Sequence, residues 1–160
     1  MITALFAVDD KGGMGANGDM PWPTNKDDMK WFKNTTEGHV VVMGKRSWNS
    51  PDMPKPLPKR HNVVVTNEFL ERNDIEQIKG NVAEGLKYVE EQYNDKTIFV
   101  IGGANLLMQA KPVIKKALIT RIPGEYICDT ILDMKEFLEG FTLINTIDLG
   151  SCKVEEYEAI

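Results

Sequence analysis

This chain predicts a layered α/β fold built on one mixed, mostly parallel β-sheet flanked by helices. Three observations carry that expectation. Short apolar runs rich in β-branched residues alternate along the chain with segments of helical period. The runs at 2–8, 39–43 and 97–101 are apolar almost without interruption, as strands covered on both faces are. Only the tail, 141–149 and 152–158, alternates more, which suits an antiparallel edge hairpin around Gly150-Ser151.

The elements follow in order. Residues 2–8 read as a buried strand. The stretch from Gly12 to Trp22 carries four glycines and ends in Pro21-Trp22. It is expected to be a mobile loop, neither helix nor strand, bringing Met20 and Trp22 over a pocket. Residues 25–36 read as a helix that opens on Asp27 and Asp28 and continues with Met29, Trp31 and Phe32. A strand at 39–43 leads into a short helix at 44–50, stopped by Pro51. Residues 51–59 hold four prolines and form a stiff connector. Residues 61–66 are a strand. Residues 82–93 form an amphipathic helix with Val82, Leu86, Val89 and Tyr93 on one stripe. The strand at 97–101 runs into Gly102-Gly103 and a helix to about Ala110, and 117–122 is a further strand. No repeat, low-complexity tract or linker divides the chain, so residues 1–160 are expected to be one domain.

Composition narrows the function classes. The chain carries a formal net charge of −5, and 42% of its residues are hydrophobic. A negative balance opposes general nucleic-acid binding, which needs a basic field. No apolar run is long enough to span a bilayer, so no membrane partner is expected. The first residues lack the basic start of a signal peptide and read as a strand. Cys128 and Cys152 make no CxxC pair, and with His39 and His61 they do not complete a zinc set, so no metal is expected. The expectation is a cytoplasmic protein with reduced thiols. With no exposed apolar stripe, a monomer is expected.

Three strand ends read as anion sites. At Val42-Met43-Gly44-Lys45-Arg46-Ser47, strand-glycine-helix geometry turns backbone N–H groups outward, and two cations sit in the first helical turn against the dipole. At Ile101-Gly102-Gly103-Ala104-Asn105-Leu106, two glycines allow close approach of a ligand, although the GxGxxG pattern is absent. Val65-Thr66-Asn67 ends a strand in short hydrogen-bonding side chains. In open α/β sheets ligands bind at the carboxyl ends of strands, so all three could line one dinucleotide.

Two capping registers compete for the acids. Thr24 with Asp27 fits a capping box, which leaves Asp28 on the face of Trp31 and Phe32. Asn25 with Asp28 is the rival, in which Asp28 has a purely structural use. The first is favoured. An acid among aromatic and Met side chains has its charged form disfavoured, which suits proton chemistry.

In this order the motifs resemble those of the dihydrofolate reductase family. They are Ala7-Val8-Asp9, Met14-Gly15, Met20-Pro21-Trp22, Asp28-Met29-x-Trp31-Phe32-Lys33, Met43-Gly44-Lys45-Arg46-Ser47-Trp48, Pro56-Leu57-Pro58-x-Arg60-x-Asn62, Ile101-Gly102-Gly103, Thr120-Arg121-Ile122 and Asp129-Thr130. The likeness runs nearly end to end. It implies reduction of 7,8-dihydrofolate to tetrahydrofolate with NADPH as cofactor, and antifolates such as methotrexate or trimethoprim as ligands.

The resemblance also implies roles. Asp28 would hold the pterin 2-amino group and N3 and favour protonation at N5, with Thr120 supporting it through water. Leu5 and Ile101 would offer carbonyls to the pterin. Met29, Phe32 and Leu57 would wall the substrate, and Arg60 would pair with its glutamate α-carboxylate. Ala7 and Met14 would hold the nicotinamide amide. Met20 and Trp22 would belong to a lid that excludes water and completes the catalytic site. Gly44, Lys45, Arg46 and Ser47, with Gly102, Gly103, Ala104, Asn105 and Leu106, would hold phosphates, and Thr66 and Asn67 would flank the adenosine. Asp129-Thr130 would brace the lid, and Trp48 is expected in the core.

The chain departs from the family pattern at Lys45 and Asn105, where many members have Arg, which leaves open the preference for NADPH over NADH. Leu107 stands where a Tyr is common, and Cys128 where a Gly is usual. Two other readings remain: a related NADPH reductase of another heterocycle, such as the pyrimidine reductase of riboflavin synthesis, and a non-catalytic nucleotide-binding module.

Overall fold

In the parallel strands, successive residues alternate between two covered faces, so neither face can be polar. That pattern organises the computed structural model, which describes residues 1–16, 18–51 and 53–160. Asn17 of the glycine-rich loop and Asp52 of the proline connector lie outside the described residues.

The chain runs β1 (Ile2–Val8), β2 (Gly13–Gly15), α1 (Lys26–Thr36), β3 (Val40–Gly44), α2 (Lys45–Trp48), β4 (His61–Val65), β5 (Glu76–Ile78), α3 (Val82–Gln92), β6 (Ile98–Gly102), α4 (Ala104–Ala110), β7 (Lys116–Arg121), β8 (Thr130–Ile131), α5 (Met134–Leu138), β9 (Phe141–Asp148) and β10 (Lys153–Ala159). The main sheet has the order β5-β4-β3-β6-β1-β7-β10-β9. β5 through β7 are mutually parallel, and β10 pairs antiparallel with both β7 and β9. The expected mixed sheet with an antiparallel edge hairpin is therefore present. β5, β8 and α5 were not foreseen, since each is too short to show a period.

One face of the sheet carries Ala4, Phe6, Val8, Val40, Val42, Ile98, Val100, Ala117 and Ile119, packed in one core with Leu86, Val89 and Leu107 of α3 and α4. The neighbours of those strand residues, Leu5, Val41, Met43, Phe99 and Leu118, form a second core against Trp31 and Phe32 of α1. Trp48 is buried in this second core, as expected. The functional candidates on β1, β6 and β7 share this α1 side.

The glycine-rich loop departs from its reading as wholly irregular. Gly13–Gly15 is a short strand paired antiparallel with Thr130–Ile131. Steric room explains why glycine is there: a Cβ on Gly13 would lie 2.3 Å from the Cys128 Sγ and 2.9 Å from an Asp9 carboxylate oxygen. With no side chain at Gly13, the backbone fits that slot and pairs.

Candidate active site

The carboxyl ends of the central strands make the floor of the site. Ala7 of β1 lies in register with Thr120 of β7, and Leu5 with Leu118. Met43 at the end of β3 is in register with Gly102 at the end of β6. Gly44 reaches the Gly102-Gly103 backbone, since a Cβ at Gly44 would sit 3.8 Å from the Gly102 carbonyl oxygen and 3.9 Å from the Gly103 nitrogen. Gly102 has φ of 127°, a conformation that side-chain-bearing residues rarely adopt. The Met14 side chain comes within 3.7 Å of the position a Cβ on Gly102 would take. Two of the anion-site candidates thus adjoin, with Met14 against them.

Helix α1 places the acid over this floor. Its N-cap is Asn25, whose side-chain oxygen accepts from the Asp28 backbone N–H at 3.0 Å. The favoured Thr24–Asp27 box is therefore not formed. Asp27 instead accepts from the Ser151 hydroxyl at 2.6 Å and the Ser151 N–H at 3.1 Å, tying α1 to the turn of the β9–β10 hairpin. This long-range partner displaces a local one, which sequence spacing has no means of showing. Asp28 is half-buried, and the Thr120 hydroxyl lies on the side of its carboxyl. Burial pushes its pKa above the usual carboxylate range, and the Thr120 bond opposes that only in part.

Other lid and wall candidates differ in exposure. Trp22 is 6% exposed and packs with Ile122, Cys152 and Ala7. Its indole N–H is buried with no hydrogen-bond partner among the described residues. A buried donor without a partner has an unmet requirement of about 1–3 kcal/mol, which a ligand or water acceptor would satisfy. The Trp31 indole N–H on α1 is in the same condition. Met20 and Met29 are exposed and Phe32 is half-buried, so the lid and substrate-wall candidates meet open space on one side.

Arg60 lies at the far end of α1. Its guanidinium donates to the Pro58 carbonyl at 2.9 Å and the Thr36 hydroxyl at 3.3 Å and lies 5.8 Å from the Phe32 ring centre. Burial draws its pKa down while Glu37 draws it up, and a guanidinium remains charged. The loop carrying Leu57 and Arg60 is fastened by Asn62. The buried Asn62 amide donates to the Leu57 and Arg60 carbonyls at 3.0 and 2.9 Å and accepts from the Leu57 N–H at 2.9 Å. Asn62 was quoted as part of a motif and given no role. A polar Asn inside a strand that continues as Val63-Val64-Val65 was the signal for it.

At the opposite end, the cations expected to meet phosphates are engaged with acids. Lys45 pairs with Glu68, and Arg46 with Asp129 at 3.3 Å. Asp129 also donates its N–H to the Gly15 carbonyl at 2.9 Å. Thr66 and Asn67 follow β4 directly, and Gly44 is in register with Val65. Ser47 lies in α2, and Ala104, Asn105 and Leu106 open α4, with Asn105 exposed and Leu106 buried. Leu107 is fully buried in the α3–α4 core, so a Tyr there would have to displace packed neighbours. Both cysteines are free thiols. Among the described residues no helix is long and apolar enough to cross a membrane.

A family model described as dihydrofolate reductase matches residues 1–156. The chain is similar to dihydrofolate reductase type 8 of Escherichia coli, 29% identical with 88% of this chain and 85% of the relative covered. It resembles the dihydrofolate reductase of Sus scrofa at 29% identity, covering 99% of this chain and 92% of the relative. Among solved structures it resembles dihydrofolate reductase from Enterococcus faecalis complexed with NADP(H) and RAB-propyl. That likeness has a TM-score of 0.81 and 20% identity, and covers 99% of this chain and 96% of that one.

Proposed function

On the premise that this chain belongs to the dihydrofolate reductase family, we propose that it reduces 7,8-dihydrofolate to 5,6,7,8-tetrahydrofolate with NADPH. The observation that carries this reading is Asp28, a half-buried acid with a raised pKa on the first turn of α1, in a fold whose strand ends at Gly44 and Gly102-Gly103 are bare glycine backbone.

The residues fit such a cofactor. A Cβ on Gly103 would meet no atom within 4 Å, and the Gly44 and Gly102-Gly103 backbones adjoin, so a phosphate-bearing chain can lie across them. NADPH, when bound, supplies the hydride that passes from nicotinamide C4 to pterin C6. Ala7 and Met14 hold the nicotinamide amide. Gly44 to Ser47, Thr66, Asn67 and Gly102 to Leu106 take the rest of the molecule, with Lys45 and Arg46 giving up Glu68 and Asp129 for phosphates.

For the substrate, Asp28 accepts from the 2-amino group and N3 and favours a proton at N5. Thr120 fixes the carboxyl orientation. Leu5 and Ile101 contribute backbone carbonyls, while Met29, Phe32 and Leu57 enclose the ring and its benzoyl extension. Arg60 takes the glutamate α-carboxylate as a two-pronged ion pair. Met20 and Trp22 close over the site and exclude water. We read the protein as a single-domain cytoplasmic monomer that methotrexate or trimethoprim would inhibit. NADPH absorbance followed after addition of dihydrofolate, with and without methotrexate, tests this reading. Methotrexate-sensitive consumption is expected; none at any pH, from folded protein, would reject it.

A further inference from the structure

Asp9 is a buried acid that the mechanism above does not use. It is 1% exposed, and its carboxylate contacts all lie at the root of the glycine-rich loop or in segment 123–128. One carboxylate oxygen accepts from the Lys11 N–H at 2.9 Å and the Gly13 N–H at 2.8 Å, at the root of the glycine-rich loop. The other accepts from the Tyr126 N–H at 3.0 Å and faces the Cys128 thiol at 3.7 Å. Asp10, next along, repeats the connection by taking the Gly124 N–H at 3.0 Å and donating its own N–H to the Gly124 carbonyl at 2.9 Å. Tyr126 then meets Trp22 edge-on, with ring centres 6.2 Å apart. A path of direct contacts therefore runs from the end of β1 through Tyr126 to the tryptophan whose buried N–H has no partner among the described residues.

We propose that Asp9 is a positioning residue for hydride transfer, clasping the lid root to segment 123–128 so that the Tyr126 ring holds Trp22 in place. The proposal rests on the reductase reading above. Three physical features support it. A carboxylate buried this fully is costly unless its lone pairs are filled, and here both oxygens are. Burial raises its pKa, but the N–H groups of Tyr126, Gly13 and Lys11 and the Cys128 thiol outweigh it and hold the group ionised below the usual carboxylate range. Finally, only two acceptor oxygens satisfy both segments at once. An amide of the same shape has one acceptor, so it can serve the lid root or Tyr126 and must turn an NH2 toward the other.

The test uses Asp9→Asn and, separately, Tyr126→Ala, a partly exposed side chain whose loss leaves the core intact. Single-turnover hydride transfer, NADPH and dihydrofolate dissociation constants, and amide exchange at Gly13 and Tyr126 are measured well below the melting temperature. Both variants are expected to slow hydride transfer by about tenfold, because small misplacements of a site group act on the chemical step. The dissociation constants should stay near the parent's, and Asp9→Asn should speed exchange at the Gly13 or Tyr126 amide. A lower melting temperature with an unchanged transfer rate would mean a merely structural acid and overturn the proposal. So would an unchanged rate in Tyr126→Ala, which decides the matter even if Asp9→Asn does not fold. Should the parent itself fail to oxidise NADPH with dihydrofolate, the reductase reading falls. Amide exchange still tests the clasp in that case: unchanged exchange at both amides overturns it.

Discussion

Replacing Asp28 by Asn isolates the charge and the proton from everything else the residue does. The two side chains have nearly the same shape. The helix start survives, because Asn25 receives the Asp28 backbone N–H and not its side chain. The Thr120 hydroxyl, the carboxyl's partner, finds an oxygen acceptor in the amide as well. What disappears is a charged acceptor for the pterin and a group able to favour a proton at N5. Charged hydrogen bonds contribute about 1.5–3 kcal/mol each. General acid assistance contributes about 10²–10⁴-fold in rate. The kcat/KM for dihydrofolate at pH 7 should therefore fall by about a thousandfold or more, and the deficit should shrink in acid, where solvent protonates the substrate. The NADPH dissociation constant should stay close to the parent's.

The same substitution has a stability signature of opposite sign. The folded pKa of Asp28 lies above the unfolded value of about 3.9, so the native state binds that proton more tightly than the unfolded chain does. Below the unfolded pKa the acid carries no ionisation cost. As pH rises through the folded pKa, ionisation in a half-buried site costs native stability, and an amide is spared that cost. Asp28→Asn should thus melt above the parent at pH 7, and the gain should vanish toward pH 3–4, near the unfolded pKa of about 3.9. Turnover within about tenfold of the parent at pH 7, paired with a lower melting temperature, would refute both halves of the reasoning.

Arg60→Leu should raise the folate dissociation constant by about ten- to a hundredfold, the equivalent of losing one charged hydrogen-bonded pair, and leave NADPH binding alone; fluorescence titration reads both. Asn62→Ala removes three buried hydrogen bonds from the loop bearing Leu57 and Arg60. It should cost about 1–3 kcal/mol or more in denaturant unfolding and raise the dihydrofolate KM with little change in the NADPH KM. Gly13→Ala forces a methyl against the Cys128 sulfur and Asp9. It should lower stability by about 1–3 kcal/mol, and Cys128→Gly in the same chain should recover part of that, measured as a double-mutant cycle.

Much was legible in the amino-acid order because it depends on local periodicity. The continuous apolar runs of β1, β3 and β6 identified strands covered on both faces, and the alternating tail identified an edge hairpin. Glycines after β3 and β6 marked the strand ends that adjoin in the fold. Asp28 stood out because an acid on an apolar helix face has few structural uses. Three-dimensional structure alone decided which acid is tied up elsewhere in the fold. Asp27 and Asp28 are neighbours with competing capping registers; the rival one forms, with Asn25 as N-cap to the Asp28 N–H, and Asp27 is taken by Ser151, 124 residues away. Likewise the partners of Asp9 are backbone N–H groups of loops, which every residue carries and no side-chain sequence records. The glycine-rich stretch pairs as a strand with β8, and Cys128 ahead of β8 leaves no room for a side chain at Gly13. Local propensity selects helices and strands within a few residues, whereas pairing between distant loops depends on how the sheet brings them together, and that appears only in the folded chain.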